Sequence, residues 1–110
     1  MSTQTFPVTT HDVLIRSRDV SLPGILTTPE PMCGLVLFAH GSGSSRHSTR
    51  NQHVASFLQQ RGFATLLFDL LTEAEANDRR NVFDLRLLAD RLLAARSAML
   101  REMEGGELTP

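Results

Sequence analysis

The residues with the clearest chemical meaning are consecutive: His40-Gly41-Ser42-Gly43-Ser44-Ser45. They follow an unbroken apolar run at residues 35–39 and precede a stretch of helical character, so they sit where a strand gives way to a helix. In open α/β sheets, ligands bind at the carboxyl edge of the strands. Glycine lets the backbone come close to a ligand and aim its N–H groups at an anion, and the N-terminus of the next helix adds positive potential. Two chemistries use such a segment. One is an oxyanion hole, with the backbone N–H groups of Ser42 and Gly43 set where the carbonyl oxygen of an ester becomes an alkoxide. Loss of one such donor costs on the order of 3 kcal/mol in barrier height. The other is dinucleotide binding, with Gly41-Ser42-Gly43 as the turn and Asp69, at the end of the next apolar run, as the ribose-binding acid. That second pattern breaks at its third glycine, where Arg46 stands.

His40 reads as a structural histidine that hydrogen-bonds the loop, and with Gly41 and Arg46 it completes the candidate binding set. Arg46 and Arg50 carry the forked donors that take a substrate carboxylate, against the simpler reading that they face solvent at a helix start. His47 and His53 do not share a helix face, so no metal site is expected. Asp69 reads most simply as a strand-end residue that caps a turn. Cys33 has no base beside it in sequence and reads as a small buried hydrophobe, not a nucleophile. No cofactor is implied.

The elements that must position these residues follow from the pattern. Residues 13–16 and 20–26 are apolar-rich runs separated by Ser17-Arg18-Asp19, which predicts a β-hairpin over about 11–28, with Gly24 as a bulge and Pro29 and Pro31 ending it. Residues 35–39 and 64–68 are continuous apolar runs, the signature of strands covered on both faces. Between them a helix is expected from about residue 49 to 61, with Val54, Ala55, Phe57 and Leu58 on one side, Ser48 capping its start and Gly62 closing its end. Residues 34–70 therefore form a βαβ unit with parallel strands. A connector at 72–80 leads to a long helix over about 81–103, whose Leu85, Leu88, Leu92, Ala95 and Met99 recur at the spacing of a helix laid on a sheet.

Composition narrows the function further. The 110 residues give one small domain, and the 41% apolar content suffices for one modest core. All 11 basic residues are Arg, which excludes the Lys of a phosphate-binding loop, a Schiff-base Lys and a Lys general base. A net charge of −1 with Arg spread along the chain, no Trp, no Tyr and six Phe leaves neither a basic patch nor a stacking platform for nucleic acid. The single cysteine fits a reducing compartment. The start, Met1-Ser2-Thr3-Gln4-Thr5-Phe6-Pro7, has no basic and apolar leader pattern, and no apolar stretch approaches spanning length. The expectation is a soluble cytoplasmic protein without a membrane partner.

Three stretches together resemble a known family: Leu22-Pro23-Gly24-Ile25-Leu26-Thr27-Thr28-Pro29, the run from Gly34 through the His40-Gly41-Ser42-Gly43 loop to Ser48, and Gly62-Phe63-Ala64-Thr65-Leu66-Leu67-Phe68-Asp69-Leu70-Leu71. They resemble the amino-terminal half of an α/β-hydrolase of the dienelactone hydrolase-like group, over about residues 11–104. The resemblance implies an α/β fold, a small-molecule ester or lactone substrate in the complete family member, and an oxyanion segment at Gly41, Ser42 and Gly43. The family's Ser or Cys nucleophile stands on a G-x-S-x-G turn after the next strand, with the acid and the general-base His later. These residues contain no such turn, so the expectation is a truncated fragment, inactive alone. In the family's strand order the strand at 35–39 then has an open edge, which predicts marginal stability and either self-association or docking of a complementing chain. The alternatives are a small nucleotide-binding α/β module and a non-catalytic interaction domain using the open edge.

Overall fold

The computed structural model describes residues 7–40 and 46–104. Strands β1 (Val8–Ser17) and β2 (Val20–Pro29) form an antiparallel hairpin in continuous register, from Val8 opposite Pro29 to Ser17 opposite Val20. Its turn is the pair Arg18-Asp19, with Arg18 at φ 57. Gly24 lies within the unbroken register opposite Val13 and Phe68, so the predicted bulge is absent. Its lack of a side chain serves close packing: a Cβ there would stand 3.1 Å from Leu66 Cδ1 and 3.3 Å from the Leu67 carbonyl oxygen.

Strand β3 (Gly34–His40), helix α1 (Thr49–Gln59) and strand β4 (Phe63–Asp69) are the expected βαβ unit, with β3 and β4 parallel. Ser48 caps α1 by accepting from the Asn51 backbone N–H, and Gly62, at φ 93, takes the left-handed conformation that turns the chain into β4. The sheet runs β1-β2-β4-β3, so β4 is interior and β3 is at the edge. Two short helices follow, α2 (Glu73–Ala76) and α3 (Arg79–Val82), and then α4 (Leu85–Glu104). The predicted long helix thus starts later than residue 81. Asp84 accepts from the Leu87 backbone N–H at 3.1 Å and opens α4 as a separate element.

The core lies on one face of the sheet, where Ala95 and Met99 of α4 meet Ile15, Leu22, Leu26, Leu66 and Phe68. Of the expected apolar line on α4, Leu85 and Leu92 are exposed; Arg91 occupies the buried line instead. On the other face α1 buries Ala55, and its Gln59 Nε2 donates to Thr65 Oγ1 at 2.7 Å. Val54 and Phe57 are exposed, not core, because they follow the helix line that ends at Arg61, whose guanidinium lies 3.6 Å from the Phe57 ring centroid.

Two further expectations change. The β3 run is not covered on both faces: residues 35–38 are half-buried and Ala39 is exposed, since among the described residues no strand pairs with the outer edge. Cys33 is exposed, not buried, with its thiol 3.7 Å from the Arg61 carbonyl oxygen.

Candidate functional site

The carboxyl ends of β3 and β4 lie side by side, with His40 in register with Asp69. This is the rim at which an open α/β sheet receives a ligand. The predicted oxyanion donors Ser42 and Gly43, and the predicted binding residue Gly41, fall in residues 41–45 and lie outside the described residues. His40 is described as the last residue of β3.

Arg46, where the described chain resumes, is tied to the end of β4. Its backbone N–H donates to Asp69 Oδ1 at 2.8 Å and its Nη1 donates to Asp69 Oδ2 at 2.7 Å. The side chains are 26% and 18% exposed, so this pair is partly shielded from solvent, where charge-assisted hydrogen bonds are strong. Gln52 Nε2 donates to the Arg46 carbonyl oxygen at 3.3 Å. Both backbone polar groups of Arg46 are therefore held by side chains. Its guanidinium is committed to Asp69, which differs from both sequence readings: it neither faces bulk solvent nor stands free for a substrate carboxylate. Arg50 is exposed on the first turn of α1, and that turn has no acidic side chain to offset the positive end of the helix. His47 and His53 are exposed, and among the described residues no group of three or more His, Cys, Asp or Glu is placed to hold a metal.

A second polar cluster fixes the chain beyond β4. Thr72 and Glu75 form a reciprocal capping box at α2, each side chain accepting from the other residue's backbone N–H. Arg91 of α4 reaches the same carboxylate with both Nη atoms at 2.8 Å and also donates to the Leu70 carbonyl oxygen at 3.0 Å. The Arg91 guanidinium holds the Glu75 carboxyl down at about 2, against a usual 4.5. The Thr72-x-x-Glu75 spacing is a capping signature visible in the sequence, whereas the two ion pairs join residues too far apart in the chain for any local pattern to announce them.

No family model matches the chain. Two proteins of Mycobacterium tuberculosis, from strains CDC 1551 / Oshkosh and H37Rv and provisionally named as phosphoribosyl transferases, are 55% identical to it over 87 residues. The match takes in 79% of this chain and 20% of each of theirs, so the chain spans about a fifth of the curated relatives' length. Among solved structures, a dienelactone hydrolase from Anabaena variabilis ATCC 29413 is 49% identical with a TM-score of 0.74, over 80% of this chain and 43% of that one. With the observed mixed sheet, this defines an α/β-hydrolase fold. The chain carries part of a dienelactone hydrolase-like fold, as its strand and loop motifs indicated. No helix of the described residues is long and apolar enough to cross a membrane.

Proposed function

We propose that this chain supplies the oxyanion-binding part of a hydrolase acting on carboxylic ester or lactone bonds, with the backbone N–H groups of Ser42 and Gly43 as donors. The 110 residues hold no G-x-S-x-G, so in this reading the attacking Ser or Cys comes from sequence outside them, and the chain alone does not turn over an ester. The observation that carries it is the bracketing of residues 41–45 by the ends of β3 and β4, at the ligand rim of a chain 49% identical to a dienelactone hydrolase. The unopposed N-terminus of α1 supports the same reading, since it favours a developing negative charge.

The nucleotide-binding alternative is weaker on one specific ground. Its ribose-binding acid is Asp69, and both oxygens of that carboxylate are engaged by Arg46. The phosphoribosyl transferase name belongs to proteins of which this chain matches one fifth. We assign the shared fifth to hydrolase chemistry.

A titration of the 15N-labelled chain with phenylphosphonate, a tetrahedral anion resembling an ester-hydrolysis intermediate, tests this. Saturable shifts of the Ser42 and Gly43 amides are expected, with no comparable response to NAD. Tight NAD binding at the same amides, or phosphonate that leaves them unmoved, overturns it.

A further inference from the structure

We propose that the outer edge of β3 is an interface between two copies of this chain, joined antiparallel about a two-fold axis at Leu37 so that two four-stranded sheets become one. A strand edge with free backbone N–H and C=O groups takes up another strand unless something on it prevents pairing. β1 and β3 are the two outer strands of the sheet, and they differ in that respect. β1 carries His11, Asp12 and Arg16, and charged side chains are a device that keeps an edge unpaired, whereas residues 34–39 of β3 carry no charge. Neither long helix shields β3: α1 packs mainly on β4, and α4 mainly on β1.

Length and side chains together select the occupant. The segments outside the described residues, 1–6, 41–45 and 105–110, are each shorter than the seven residues of β3, so none of them spans the whole edge. β3 is its own complement. In an antiparallel pair centred on Leu37, that residue faces its own copy, Leu35 faces Ala39 of the second copy, and Val36 faces Phe38. Leu35 and Leu37 lie on the side of the α4 core, and strand alternation puts Val36 and Phe38 on the opposite side. Each facing pair therefore meets on one face of the joined sheet and is apolar in both members. Residues 35–38 are half-buried and Ala39 is exposed, so pairing removes further apolar surface from water. The two-fold arrangement uses each β3 edge once and closes at the dimer. This interface stands whether or not residues 41–43 bind an oxyanion.

Sedimentation equilibrium of the wild-type chain, with the Cys33 thiol kept reduced, tests it. One strand pair makes a small interface, so the mass is expected to rise from 12.2 kDa at low concentration toward twice that value, with a dissociation constant on the order of 10–100 µM. A39K sets a cation against Leu35 of the second copy and should weaken the dimer roughly tenfold or more. L14K, at an exposed position on β1, should leave the dimer unchanged. Amide hydrogen exchange of the wild-type chain needs no variant: protection of residues 35–39 should increase with concentration while that of β1 does not.

A mass that stays at 12.2 kDa up to about 1 mM overturns the proposal and leaves the edge to a strand of a different chain. Growth past the dimer into open-ended assemblies overturns it too. So does a dimer that L14K weakens as much as A39K, or one that forms with no added protection of β3.

Discussion

Strands β3 and β4 are parallel neighbours of the same length and nearly the same apolar character, yet they occupy different physical situations. β4 is paired on both edges and covered on both faces, while β3 is paired on one edge and stays half-buried or exposed along its described side chains. Composition alone does not make a strand central; a second pairing partner does. The strands also differ in how the chain leaves them. Beyond β4 the path is fixed by the Arg91–Glu75 cluster, whereas beyond β3 the next described anchor is Arg46, tied back to β4 itself. The interior strand is thus the reference for both exits.

Core truncation should break the comparison most severely. Phe68→Ala, at a fully buried β4 position, is expected to cost about 4 kcal/mol in urea unfolding, against about 1 kcal/mol for Phe38→Ala on half-buried β3. Equal losses would mean that β3 is as well packed as β4. Next in size, Arg91→Ala strands a carboxylate that is largely covered and should destabilise by roughly 3 kcal/mol, whereas Arg18→Ala, in an exposed pair with Asp90 at 3.8 Å, should change unfolding by about 0.5 kcal/mol or less. Native-state hydrogen exchange sharpens the contrast without mutation: β4 amides should open only with global unfolding, and β3 amides about 1–2 kcal/mol more readily.

A pH dependence tests the same Arg91–Glu75 pair from the other side. Glu75 has its folded pKa lowered from 4.5 to about 2, so its contribution to stability is complete above about 4.5 and is lost as pH falls toward 2. The stability gap between the wild type and Glu75→Gln should therefore shrink across that window and stay constant from pH 5 to 7. A gap that widens on acidification contradicts the ion pair.

The sequence made the parallel βαβ unit legible because its two apolar runs, the Ser48 cap and the Gly62 turn are all local signals, and all four stand where expected. The hairpin was legible too, though β1 reaches back to Val8 through exposed Thr9 and Thr10, which carry no apolar alternation. Hydropathy pointed to Leu92 where Arg91 is buried, because the identity of a buried guanidinium's partner, Glu75 sixteen residues away, is a tertiary fact. That β3 ends at His40 beside the end of β4 was readable from residue order. The tie between Arg46 and Asp69 was not: it joins the residue where the described chain resumes after β3 to the end of the following strand, 23 residues on.

Arg91 grips the Leu70 carbonyl and Glu75 together, from 21 and 16 residues downstream. The final path beyond β4 and the docking of α4 are therefore one event, and closing gaps of 21 and 16 residues leads us to expect that event after the transition state. A conservative change such as Arg91→Lys is then expected to hasten unfolding while leaving the speed of refolding nearly untouched.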